Sequence, residues 1–356
     1  MNAAANRKVL ATMAPASGFV AIAAALHFAQ AGSIVNFIAS ALALASVAYV
    51  IGEATDQLGN HLSPAATGIV QSAVGNLPEL FVCIFALRAG LLTVVQASLI
   101  GSILSNALLV LGLAFVAGGW KLGILHFESQ APRMIATLLL LAVSALVLPT
   151  LAQELHLPSG AHEQGLAVVC AIVLLFVFIV LTHTMLRQGQ RALPAETHAR
   201  LQAWSLGAAV AVLAVCGVAA GLVSDWFVDA LGPAIEALGV SEAFSGLVIV
   251  ALAGNAVENV VGVRLAAQGK ADLAVSVILN SALQVAVALI PMLVLISFAM
   301  GGAATFTLAI PPILAAALFL SVLVVTVVTV DGRADIVDGA ALVGLYVIVA
   351  AIFWWG

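Results

Sequence analysis

The sequence predicts an all-α polytopic membrane protein of eleven transmembrane helices: one extra amino-terminal helix, then two inverted five-helix repeats. Three observations predict it. The 356 residues are 64% hydrophobic and only 8% Asp, Glu, Lys or Arg, whereas a soluble domain carries roughly 25% charged residues to cover its core. Apolar stretches long enough to cross a bilayer, about 20 residues each, recur along the whole chain. A Gly-Asn-x-x-Glu pattern also stands twice inside such stretches, as Gly75-Asn76-Leu77-Pro78-Glu79 and Gly254-Asn255-Ala256-Val257-Glu258, 179 residues apart.

The stretches fall at 9–29, 33–54, 65–88, 91–118, 132–151, 165–186, 202–222, 243–266, 272–299, 304–329 and 335–355. The first follows Arg7 and Lys8 as a signal peptide would, but its length favours an uncleaved span. Residues 1–32 are therefore an amino-terminal transmembrane helix. Spans two to six make a first repeat over 33–187, and spans seven to eleven a second over 202–356. Between them, 188–201 is the most polar linker in the chain, with Gly189, Pro194 and several charges. Five is odd, so the second group enters the membrane from the opposite side, which makes the repeat inverted. Both motifs fall in the second span of their group, as such a duplication requires.

Basic residues set the orientation. With the amino terminus cytoplasmic, Arg7, Lys8, Lys121, Arg133, Arg187, Arg191, Arg200, Arg264, Lys270 and Arg333 all lie inside, and of the eleven only Arg88 lies outside. The opposite connections carry acids: Glu154 and Glu163 in one, Asp225, Asp229, Glu236 and Glu242 in another. The carboxyl terminus is then external.

Composition and motifs also exclude classes. No basic tract interleaved with aromatics suggests nucleic acid, and no glycine-rich loop suggests a nucleotide. No His-Glu metal pair or nucleophile–base pattern suggests an enzyme, and no cofactor is expected. Cys83, Cys170 and Cys216 sit in apolar runs without metal spacing and read as small buried hydrophobes.

The chemistry lies in the two motifs. A carboxylate at bilayer depth is costly unless a partner, a cavity or a cation offsets it, and here the cost is met twice at matching points. Ser72, Gly75, Asn76 and Glu79 share one helix face, with Pro78 expected to open the helix at the preceding turn. Ala251, Gly254, Asn255, Glu258 and Gly262 repeat that face without a proline, so a smaller distortion is expected there. The following span of each half adds polar side chains: Ser98, Gly101, Ser102, Ser105 and Asn106 in the first, Ser276, Asn280, Ser281 and Gln284 in the second. Hydroxyl, amide and carboxylate oxygens suit Ca2+, which takes six to eight oxygens at about 2.3–2.6 Å; softer metals want sulfur or imidazole, and no Cys or His is expected near these motifs. The same carboxylates bind protons, so cation and proton occupancy exclude one another, the physical minimum for exchange. Glu53 and Asp56, near the cytoplasmic end of the second span, are a possible entrance that gathers cations; an ordinary polar helix end is the plainer reading.

Taken together, these segments resemble the calcium/cation:proton exchanger family of the wider cation/calcium exchanger superfamily. The likeness is carried by Gly75-Asn76-Leu77-Pro78-Glu79-Leu80, by Phe85 to Gly90, by Val94 through Asn106, and by Gly254 to Glu258 followed by Lys270-Ala271-Asp272-Leu273-Ala274. Asp331 to Asp335 and Phe353-Trp354-Trp355 extend it to the end. The resemblance implies that Glu79 and Glu258 carry Ca2+ and H+, and that Asn76 and Asn255 complete or orient the site. It further implies eleven spans, a mobile first helix and alternating access between two five-helix units. Cytosolic Ca2+ would be exchanged for H+ across a lipid bilayer, here expected to be a prokaryotic plasma membrane. Three departures bear on ion choice: Pro78 in the first motif, as in sodium/calcium exchangers, Asn259 where many members have histidine, and Asn280-Ser281 where they have glycine-serine. Na+/Ca2+ or monovalent cation/H+ antiport is the alternative expectation.

Overall fold

The computed structural model describes residues 3–62, 70, 74–128, 130–189, 204–301 and 305–355, and backbone alone at 3–8, 130, 131, 185–189, 257 and 258. Its helices are α1 (Ala3–Phe28), α2 (Ser33–Gly59), α3 (Leu77–Arg88), α4 (Leu92–Leu122), α5 (Gln130–Glu154), α6 (Glu163–Gly189) and α7 (Leu206–Leu238). They continue as α8 (Glu242–Gly254), α9 (Ala256–Ala267), α10 (Ala271–Met300), α11 (Pro312–Thr329) and α12 (Ile336–Trp354). A two-residue ribbon, β1 (Leu125–His126) and β2 (Arg333–Ala334), is the one strand pair among the described residues.

Among those residues, nine helices are long and apolar enough to cross a membrane, and α8 with α9 forms a further pair bent by 65°. The molecule is a multi-pass helical membrane protein. The expected third stretch runs through residues outside the description, with α3 as its described end. Most of the expected linker, 190–201, also lies outside it.

Two compact units share the chain: residues 1–85 with 177–239, and residues 86–176 with 240–356. In the first, α2 packs along α7. Val47, Val50, Ile51, Ala54 and Leu58 meet Ala209, Val212, Cys216 and Ala220, with Ala16 of α1 added. The three- and four-residue spacings put each set on one helical stripe. Trp204 is inserted at the end of this seam. Its backbone N–H donates to Gln57 Oε1 (3.1 Å), and His61 Nε2 donates to its carbonyl (2.7 Å). At the other end His27 stacks on Trp226, with centroids 5.5 Å apart, and Phe37 meets Phe227 at 4.9 Å.

Helix α7 runs well past the stretch expected to end at 222. The reason is amphipathicity: Asp225, Asp229 and Glu236 are exposed, while Phe227, Val228, Leu231, Ala234 and Ile235 are buried. The acids expected on a loop are thus mostly on a helix, which stops at Gly239 in the left-handed conformation (φ +65°).

In the second unit, α4 crosses α8 backbone to backbone. A Cβ at Gly101 would lie 2.2 Å from Leu247 O, and one at Gly246 would lie 2.4 Å from Val94 O; only glycine permits this approach. The connections of this unit are tied by hydrogen bonds. β1 pairs with β2, and beside them Glu128 N–H donates to Asp272 (2.5 Å). Elsewhere Ser241 donates to Phe353 O (2.5 Å), and Thr307 donates to Glu163 with Gln164 donating to Thr305 (3.4 Å).

The tenth stretch, expected from 304, becomes helical only at Pro312; residues 305–311 are not helical. Buried non-helical backbone in a membrane protein needs protein partners. It has them: Gln96 donates to Ala309 O (2.8 Å), Ser297 accepts from Phe306 N–H (3.0 Å), and Thr150 accepts from Ile310 N–H (3.1 Å).

Candidate functional site

Both motifs interrupt their helices at the asparagine. In the first unit, Val74 and Gly75 are helical, Asn76 is a turn, and α3 begins at Leu77. In the second, α8 ends at Gly254, Asn255 adopts φ −107°, ψ 14°, and α9 begins at Ala256. Each glutamate is therefore the third residue of a new helix. There the positive end of the helix dipole favours the ionised carboxylate. The ladder resumes alike across both breaks, from Leu80 N–H to Asn76 O (2.9 Å) and from Asn259 N–H to Asn255 O (3.0 Å).

The helices α8 and α9 are bent by 65° with valine at position 257, so the second break forms without proline. A proline in a first turn removes an N–H that has no intrahelical acceptor anyway. The Asn255 amide donates to Ala251 O (3.0 Å) and to Ser102 Oγ of α4 (2.9 Å).

In the first unit, Asn76 and Glu79 are buried, at 8% and 5% exposure. Ser224 of α7 reaches the Pro78 carbonyl beside them at 3.5 Å. Ser72 and the Glu258 side chain lie outside the described residues. Cys83, one turn beyond Glu79, is fully buried, so sulfur is absent from the motif but not from the next turn. Glu53 and Asp56 stand on α2, which extends to Gly59; Glu53 accepts from Gln57 (2.8 Å) and Asp56 is exposed.

The second unit joins four expected residues. Asn255 donates to Ser102, and the Asn106 amide donates to Ser102 O (3.1 Å) and Ser281 Oγ (3.2 Å). Ser102, Ser105 and Asn106 are wholly buried. Asn280 and Gln284 are half-buried on α10. Three π-helical turns lie among the described residues: Ser245–Val250 in α8, Ser105–Val110 in α4, which takes in the end of the first polar band, and Val285–Leu289 in α10, which follows the second. The 179-residue shift that carries Gly75 to Gly254 also carries Ser102 to Ser281 and residues 106–110 to 285–289. Such turns often mark functional positions, and the sequence carried no signal for them. Sequence reading also passed over the burial of the Asn259 oxygen; its i+4 spacing from Asn255 was the available signal.

A multi-pass helical protein with carboxylates at two matched helix breaks is built as a secondary transporter. The chain belongs to the sodium/calcium exchanger protein family, whose model matches residues 32–187 and 208–355. It is 30% identical to a Ca2+/H+ antiporter of Aphanothece halophytica over 359 residues, 95% of this chain and 94% of the relative. A crystal structure of the selenium-substituted Ca2+/H+ antiporter protein YfkE superposes with a TM-score of 0.81 at 27% identity, covering 98% of this chain and 99% of that one. The H+/Ca2+ exchanger CAX shares the fold, with a TM-score of 0.75 at 16% identity over 98% of this chain and 92% of that one.

Proposed function

We propose that this protein exchanges cytosolic Ca2+ for H+ by alternating access, at a site to which Glu79 and Glu258 both contribute. The observation that carries this reading is the matched helix break, with a glutamate in the first turn after each asparagine. The Ca2+/H+ antiporter relative, aligned over nearly the whole chain, supports the choice of ions. Ionised, the two glutamates bind the dication; protonated, they release it. Asn76, Asn255, Gly75, Gly254, Ser102, Ser105, Asn106, Asn280, Ser281 and Gln284 line or orient the site, and Glu53 with Asp56 gathers cations at its inner entrance.

The arrangement proposed is eleven spans: the helix of residues 1–32, inverted repeats over 33–187 and 202–356, and the cytoplasmic linker 188–201. The shared 179-residue shift supports the duplication. The amino terminus is cytoplasmic and the carboxyl terminus external, in a prokaryotic plasma membrane. The meeting of the connections near Lys121, Lys270 and Arg333 at the β1–β2 ribbon supports placing these basic residues on one side.

Proteoliposomes loaded at low pH test the exchange. An outward proton gradient should drive Ca2+ uptake without sodium, and imposed Ca2+ should drive proton movement. Uptake that requires a sodium gradient and ignores the proton gradient would replace this reading with Na+/Ca2+ exchange.

A further inference from the structure

Helices α4 and α9 carry two exposed stripes that end together. On α4, Leu113, Trp120 and Ile124 are exposed at seven- and four-residue spacing, Trp120 at 80%. On α9, Val260, Val261, Arg264 and Gln268 are exposed at three- and four-residue spacing. Such spacings keep each set on one helix face. The ends of the two helices pack on one another. A Cβ on Gly118 would lie 3.1 Å from Ala266 O, and one on Gly269, in the left-handed conformation (φ +79°), would lie 3.4 Å from Leu122 Cδ1. Lys121 and Lys270 are the chain neighbours of that second contact, and both are exposed. Arg264 follows the two valines on the exposed face of α9.

Lys121, Arg264 and Lys270 pair with no acid among the described residues. The acids close to them in the fold serve backbone donors instead. Asp272 accepts from Glu128 N–H, and Asp335 accepts from the N–H groups of Val337 (2.7 Å) and Asp338 (3.1 Å) at the start of α12. Glu128, Asp272 and Asp331 line a cavity of about 450 Å3 together with His126 and Arg333, and none of the three free cations lines it. Acids and unpaired bases are thus segregated on this end of the unit.

Apolar side chains along an exposed face, then a tryptophan, then cations follow the order of chemistry met on leaving a bilayer: acyl chain, interface, headgroup. We propose that Lys121, Arg264 and Lys270 bind the phosphate of an anionic phospholipid headgroup, whose acyl chains lie along Leu113, Val260 and Val261. Arginine offers a planar fork to two phosphate oxygens, and the lysines add point charges. Basic sites between helix ends select anionic over zwitterionic lipid. A lipid is the occupant rather than free phosphate because the cations stand at the end of two exposed apolar stripes. This site goes beyond ion exchange and does not depend on it. Its side is cytoplasmic under the orientation proposed above, and the headgroup contact holds for either orientation.

Thermal unfolding of the purified full-length protein in a neutral detergent tests this. The additions are dioctanoyl phosphatidylglycerol, dioctanoyl phosphatidylcholine and inorganic phosphate. Phosphatidylglycerol should raise the unfolding midpoint saturably, by about 3 °C, and the other two should leave it in place. The combined Lys121→Gln, Arg264→Gln, Lys270→Gln protein should need at least about tenfold more phosphatidylglycerol for the same rise. Arg88→Gln, which removes a cation outside the site, should respond as wild type. No rise with phosphatidylglycerol, an equal rise with phosphatidylcholine, or a rise with inorganic phosphate alone overturns the proposal. So does a wild-type response in the triple variant. Should that variant not fold, Arg264→Gln decides by the same titration, and an unchanged response overturns the site.

Discussion

The two carboxylate turns, Leu77-Pro78-Glu79 and Ala256-Val257-Glu258, open in the same way with different residues at the second position. The turn of α3 is met at its Pro78 carbonyl by Ser224 of α7, at the long limit of a hydrogen bond (3.5 Å). The break before α9 is held by the Asn255 amide, with bonds of 2.9 and 3.0 Å to Ser102 and Ala251. Proline is present in one and absent from the other, yet both helices restart at the residue after asparagine. The comparison teaches that the interruption does not require the proline, and that each glutamate gains a helix amino terminus from it.

The largest effect that would test the likeness of the two turns is loss of either carboxylate. Glu79→Gln and Glu258→Gln keep the volume and remove the titratable oxygen, and each should abolish Ca2+-driven proton flux in vesicles while inserting normally. One variant exchanging at the wild-type rate would show that the turns are not functionally equivalent.

A smaller effect is expected from exchanging the residue that differs. Pro78→Ala and Val257→Pro should both fold and transport within about threefold of wild type, since a first-turn proline shifts stability by no more than about 1 kcal/mol when the backbone already suits it. Thermal unfolding and flux read this directly. Loss of transport in Pro78→Ala alone would show that the first turn depends on its proline as the second does not.

The smallest effect concerns the entrance. Asp56 sits in the last turn of α2, where the helix dipole disfavours an acid, so its charge there adds nothing to the helix and is free to collect cations. Neutralising Glu53 and Asp56 together should raise the half-saturating Ca2+ concentration a few-fold at low salt, the regime in which surface charge acts at distance. Saturable transport should persist. Unchanged Ca2+ dependence at low ionic strength would leave them an ordinary helix end.

Much of this was legible in the sequence, for physical reasons. A bilayer demands long apolar helices, so hydropathy located them, and an intramembrane Glu79 or Glu258 stands out because few roles offset its cost. Where hydropathy averages over faces, it failed. It ended α7 at 222, because Asp225, Asp229 and Glu236 hide a buried stripe running on to Ile235. It also began the tenth span early, because Phe306, Leu308 and Ile310 are apolar and buried without being helical. The bond between Asn255 and Ser102 spans 153 residues, and no local pattern announces such a partner.

The non-helical run at 305–311 has a consequence for biogenesis. Its backbone groups are satisfied by Gln96, Thr150 and Ser297, all of which are synthesised before it. A peptide group left unsatisfied in lipid costs several kcal/mol, and because each of these partners comes earlier in the chain, they exist before the run that uses them is made.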